Sequence, residues 1–143
     1  MLPFLSTFLL TANLATATLQ IIPGATWTAA GTNQHIQAHG GGIVRDGSLY
    51  YLIGENKLGG SSFQSINCYS SPDLVSWTFV NELLSLQGSG DLGPSRVVER
   101  PHVMKNAGTG QWVMWLHIDS SNYGEAKAGV AVSGSVCGDY TYM

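Results

Sequence analysis

Gly42-Ile43-Val44-Arg45-Asp46-Gly47-Ser48-Leu49-Tyr50-Tyr51-Leu52-Ile53 is the stretch that decides the fold. Asp-Gly between apolar runs rich in β-branched and aromatic residues favours a tight hairpin turn, because its backbone twist matches that of the flanking strands. Gly42–Arg45 and Ser48–Ile53 are therefore predicted as paired strands. Glu55-Asn56-Lys57 and the loop Gly59-Gly60-Ser61-Ser62 then lead to a third strand near Ser65–Ser70. Ser71-Pro72-Asp73-Leu74 turns the chain into a fourth, Trp77-Thr78-Phe79-Val80.

The same order returns at a spacing of about sixty residues. Pro101–Lys105 is a first strand, Asn106–Gly110 a turn, and Gln111–Leu116 the counterpart of Ser48–Ile53. Ala128–Ser133 follows, and Tyr140-Thr141-Tyr142 answers Trp77-Thr78-Phe79. Short strands repeated in fours predict an all-β chain of adjacent β-propeller blades, blade one about 38–80 and blade two about 97–143. A single β-sandwich is the competing arrangement; it would need Greek-key connections and carry no internal similarity.

Val97-Val98-Glu99-Arg100-Pro101 opens the second unit and places a carboxylate in an apolar run, just before a proline that biases its predecessor toward extended geometry. A carboxylate there needs a reason: Glu99 sits at the head of the innermost strand of a repeat, where it could pair with Arg100 or Arg96 at a blade edge. In the first unit His39 is followed by Gly40-Gly41-Gly42. Such a run demands positive φ or close approach of the backbone to something else. His35 and His39 have the spacing of a helical metal pair, but the glycines exclude a helix.

Charged residues make up 10% of the 143, well under the roughly 25% of an average domain, and 18 glycines suit turn-rich β structure. The net charge is −3 and the six basic residues are scattered, which leaves no electrostatic footprint for nucleic acid. Met1–Gln20 has no charged side chain, an apolar run over Leu2–Leu14, and Ala15-Thr16-Ala17. This predicts a secretory signal peptide, residues 1–17, and a secreted product; a retained apolar element is the alternative, since the usual Lys or Arg is missing. The run is too short and too interrupted to span a membrane. Cys68 and Cys137 could pair in a secreted protein, although the sequence leaves that open; they form no zinc site by themselves.

Gln37–Gly42, Gly54-Glu55-Asn56-Lys57, Asn67–Trp77, Val98-Glu99-Arg100-Pro101 and His117–Ala126 together resemble the fungal galactan 1,3-β-galactosidases of glycoside hydrolase family 43, over about Thr26 to Tyr142. The Ser-x-Asp-Leu-x-x-Trp run is general to the family and its propeller relatives. Gly-Glu-Asn-Lys, Glu-Arg-Pro and Ser-Ser-Asn-Tyr-Gly-Glu-Ala point to the galactanase-like subgroup. The resemblance implies the first two blades of a five-bladed β-propeller, an axial sugar site, and inverting exo-cleavage of β-1,3-galactan or arabinogalactan. Inversion needs an acid and a base whose carboxyls stand ~6.5–9.5 Å apart.

By that resemblance Glu99, Tyr123, Glu55 and His39 are the substrate-binding candidates. Glu55 could instead be a solvated loop carboxylate beside Lys57, and His39 could simply fill the axis. Asp119 and Glu125 are expected to order their loop, and Trp112, Trp115, Tyr50 and Tyr51 to form core between blades. The Asp-Pro usual at the head of blade one is replaced by His39-Gly40-Gly41, which leaves the base unassigned. The general acid is expected beyond Met143, so no complete catalytic pair is present. The chain is accordingly expected to be an N-terminal fragment, inactive and poorly folded alone. A non-catalytic glycan-binding propeller is the second function class. No cofactor is expected, an axial calcium being compatible with the family but unsupported by these residues.

Overall fold

The computed structural model describes residues 21–22 and 24–143. The expected signal peptide, residues 1–17, and the apolar run Leu2–Leu14 lie outside the described residues. The chain forms β1 (His39–Asp46), β2 (Leu49–Glu55), β3 (Ser65–Ser71), β4 (Thr78–Ser85), a 3-10 turn (Gly90–Leu92), β5 (Arg96–Lys105), β6 (Trp112–Ser120), β7 (Lys127–Ser133) and β8 (Thr141–Tyr142). These make two antiparallel four-stranded sheets, ordered β1-β2-β3-β4 and β5-β6-β7-β8. Both are simple meanders, with each strand beside its sequence neighbour, and no Greek-key connection joins them. The strands holding Ile43 and Val103 occupy equivalent places in separate sheets, so the arrangement is two propeller blades and not a sandwich.

Several strands run past their predicted ends. The first sheet extends to Ser85. β2 reaches Glu55, so that carboxylate ends a strand and is only 2% exposed, not solvated in a loop. β5 begins at Arg96, which puts Glu99 inside the strand rather than at its head. Pro101 is tolerated there because the register slips between Glu99 and His102, where a missing N–H interrupts no ladder bond. Arg100 is left-handed (φ 52°), not extended, since the extra residues of that bulge must turn the chain.

The blades share one core. Ile53, Ile66, Cys68 and Leu83 of the first sheet meet Val98, Val103, Met114, Leu116 and Ile118 of the second, with β5 running beside β1 and β2. Alternation explains the pattern: residues two apart on a strand share a face. Cys68 on β3 and Cys137 in the β7–β8 loop form a disulfide across the two blades, with Cα atoms 5.9 Å apart. On the far face of the first sheet a smaller cluster packs Ala29, Tyr69 and Trp77 with Ile36, Ala38, Tyr50 and Leu52, and Trp27 stacks on Trp77 with ring centroids 6.4 Å apart.

Of the four aromatics expected between blades, Trp112 is buried and Tyr51 packs against the shared core, whereas Tyr50 joins the far-face cluster. Trp115 is 45% exposed, on the opposite face of β6 from Met114 and Leu116 and so turned away from the first blade. Among the described residues no helix is long and apolar enough to cross a membrane.

Candidate functional site

The two blades build the site from one local device used twice. In the first, His39 pairs with Glu55 and Gly42 with Ile53, the register slipping between them; in the second, Glu99 pairs with His117 and His102 with Trp115. His39 and Glu99 thus occupy the same place in the repeat, as do Glu55 and His117. Gly40 (φ 58°) and Arg100 (φ 52°) are the matching left-handed residues of the two bulges. Each blade therefore presents an imidazole facing a carboxylate across its inner strand pair, with the partners exchanged between blades. The expected match of Ser48–Ile53 with Gln111–Leu116 is out by one residue: the bulges are of equal span and set Ile53 level with Trp115, while the turns between the paired strands differ in length.

Glu55 is buried under the first bulge. Its Oε1 accepts the backbone N–H of Arg100 at 2.9 Å and lies 3.8 Å from His39 Nδ1. Its Oε2 is 2.7 Å from the Lys57 ammonium, an ion pair rather than a directed hydrogen bond. The bulge leaves room for this: a Cβ at Gly40 would stand 2.8 Å from Glu55 Oε1, and one at Gly41 2.5 Å from the Ile53 carbonyl oxygen. The predicted close approach at the glycine run is thus an approach to the protein's own carboxylate and strand.

Glu99 accepts one hydrogen bond, from the Tyr123 hydroxyl at 2.9 Å. Lys57 Nζ and His117 Nδ1 flank it at 3.7 Å each, too far to be hydrogen-bonded. Neither Arg100 nor Arg96 pairs with it; Arg96 is engaged by Asp91 and by both oxygens of Glu125. Donation to Glu99, reinforced by burial and by the charges of Glu99, Glu55 and Asp119, raises the Tyr123 hydroxyl above its ordinary pKa.

Asp119 orders its loop, accepting the backbone N–H groups of Ser120, Glu125 and Ala126 at 2.8, 2.8 and 3.1 Å. Those N–H groups, led by Glu125's, and the imidazole of His117 hold its pKa down to about 2 against the opposing effect of burial. Glu125 is likewise held to about 2, by Arg96 first and then Lys127.

His39, Gly40, Glu55, Glu99, Arg100 and Tyr123 line one hollow of about 520 Å³. All four residues proposed from sequence meet there. A second hollow of about 520 Å³, on the far face of the first sheet near Gln37, Asn67 and Phe79, is lined by amide, hydroxyl, imidazole, aromatic and aliphatic groups and contains no carboxylate. His117 was missed, and Lys57 entered only as a neighbour of Glu55. Counting from the inner strands would have found His117, since it is the residue level with Glu99. Among the described residues no group of three or more His, Cys, Asp or Glu side chains could hold a metal ion.

The hollow can accept hydrogen bonds through two carboxylates and offer a phenol and an imidazole edge, a set suited to a hydroxyl-rich ligand. No family profile matches the chain, and no curated protein does. Solved structures do. An exo-β-1,3-galactanase from Phanerochaete chrysosporium, in complex with β-1,3-galactotriose, is 45% identical and superposes with a TM-score of 0.84 over 87% of this chain and 29% of its own. A family 43 β-1,3-galactosidase with galactodeoxynojirimycin bound is 38% identical (TM-score 0.79, 86% of this chain, 37% of its own). An exo-β-1,3-galactanase from Clostridium thermocellum is 40% identical (TM-score 0.80, 86% of this chain, 26% of its own). The chain thus spans between about a quarter and two fifths of these relatives' lengths. Close superposition over most of its length at this level of identity places the chain in glycoside hydrolase family 43, with its galactan 1,3-β-galactosidases.

Proposed function

We propose that the chain provides part of the galactose subsite of a secreted exo-acting hydrolase that removes galactose from β-1,3-galactan, the backbone of arabinogalactan, with inversion at the anomeric carbon. The observation that carries this reading is the meeting of Glu99, Tyr123, Glu55 and His39 around one hollow, in a chain whose relatives were solved with β-1,3-galactotriose and a galactose-like inhibitor. Glu99 keeps lone pairs free after accepting from Tyr123, and Glu55 is held at the wall by Lys57 and Arg100. Such acceptors hold sugar hydroxyls; the proton donor to the leaving oxygen is assigned, by resemblance to the family, to a glutamate of another blade.

The test is galactose release from β-1,3-galactan by a propeller in which this chain is joined to the blade carrying the acid, followed by proton NMR of the first anomer formed. Release of α-galactose, reduced roughly 10- to 100-fold by Glu99→Gln, is expected. Release indifferent to Glu99, or β-galactose as first product, sinks the reading. Recovery from the culture medium with Thr18 at the N-terminus would support secretion.

A non-catalytic glycan-binding propeller is the second reading, favoured by the fact that donors already engage both carboxylates of the hollow. The same samples separate the two, since that reading requires galactan binding without release.

A further inference from the structure

We infer that His117 is a positioning residue: anchored by Asp119, its ring sets the Glu99 carboxylate and the Tyr123 phenol in the orientation that meets sugar hydroxyls. The inference rests on the galactose-site reading and gives that site a supporting residue.

The exchanged pairs show why the two imidazoles differ. His39 is 72% exposed in its side chain and has only the 3.8 Å approach to Glu55 to hold it. His117 is braced from behind, its Nε2 lying 3.0 Å from Asp119 Oδ2. Asp119 is itself held in place, its side chain 1% exposed and accepting the backbone N–H of Ser120 at the end of β6 and those of Glu125 and Ala126 in the loop that carries Tyr123. One carboxylate therefore fixes both the ring on β6 and the loop beside it. On its other side the ring meets Glu99 Oε2 at 3.7 Å and Tyr123 at 6.0 Å between centroids.

Glu99 is otherwise weakly constrained. It has one hydrogen bond, to Tyr123, which is half-exposed on a loop, and a 3.7 Å approach from Lys57, whose ammonium is committed to Glu55. Without the ring, both the glutamate and the tyrosine would be free to swing into the hollow. A long side chain held in one rotamer by packing is pre-organised for its ligand, and losing that order weakens binding without removing any direct contact.

The two ring nitrogens can be tested apart. In His117→Asn the amide stands near Nδ1 and loses Asp119; in His117→Gln it reaches toward Nε2 and loses the edge facing Glu99. Each is expected to weaken galactose binding on the order of tenfold in protein that still melts cooperatively, and to weaken it no further when Glu99→Gln is already present, because His117 acts through Glu99. A second readout needs no sugar. Tyr123 faces Glu99, Glu55 and Asp119, and its raised titration depends first on its bond to Glu99. Carbon NMR of ring-labelled tyrosine should show Tyr123 titrating nearer its ordinary value in both variants.

Losses that add to that of Glu99→Gln, or a Tyr123 titration that stays put, overturn the inference. If the unaltered protein binds no galactose, the galactose-site reading falls, and the Tyr123 titration alone decides what His117 does.

Discussion

Gly40 shows how much a missing side chain can determine. It sits at φ 58°, and a Cβ there would stand 2.8 Å from Glu55 Oε1. Gly40→Ala is therefore expected to cost about 1–2 kcal/mol from the left-handed backbone alone and to push Glu55 from its place beneath the bulge. Melting and galactose titration would show both effects; a variant with unchanged affinity would mean that Glu55 takes no part in binding. Asp119 gives a pH prediction. Its pKa is about 2 in the folded chain and 3.8 as a free side chain, so the unfolded chain binds a proton first as pH falls. The stability it contributes is complete above about pH 4 and is lost progressively as the pH drops toward 2. Asp119→Asn should flatten that part of the acid-unfolding curve while lowering stability at neutral pH; an unchanged acid limb would remove Asp119 from the account.

At the scale of elements, the disulfide decides how independent the blades are. Cys68 and Cys137 are 69 residues apart in sequence, and closing a loop of that length removes unfolded-state entropy worth about 4 kcal/mol in the chain-entropy account. Cys137→Ser should lower the unfolding free energy by up to that amount, read from urea midpoints at constant m-value. A shift well under about 1 kcal/mol would mean that the shared core already holds β3 to the β7–β8 loop. The bulges act at the same scale. They bring a histidine and a glutamate together at the same place in each blade, and, being of equal span, they leave Trp115 where Ile53 stands in the blade before. Ile53 is covered by the second blade; Trp115 lies on the matching face of the second blade, where no sheet covers it among the described residues, and is half-exposed with Met104.

For the molecule as a whole, a single apolar core threads both sheets, with Met114, Ile118 and Ile66 wholly buried in it. The sheets are thus expected to unfold together. Met114→Ala should cost about 2–5 kcal/mol through lost contacts and a cavity between the blades. It should also move the near-ultraviolet and fluorescence transitions in step, since Trp77 reports on the first sheet and Trp112 on the second. Two separated transitions would show that each blade is its own cooperative unit.

By itself the sequence determined the architecture and named four residues that the fold brings to one hollow. The Asp46-Gly47 hairpin, the four-strand order and its return at a fixed spacing are local patterns, readable because strand alternation and turn chemistry act over a few residues. Glu99, Tyr123, Glu55 and His39 were legible through motif resemblance. Only the tertiary structure decided register and facing. A bulge adds residues without changing composition, and a slip of one position turns every later side chain to the opposite face. That is why the strand pairing, and not the spacing of the motifs, sets Ile53 level with Trp115 and His117 level with Glu99. The pairing of Cys68 with Cys137 was settled the same way, because nothing local to either residue records that the blades bring their Cα atoms to 5.9 Å.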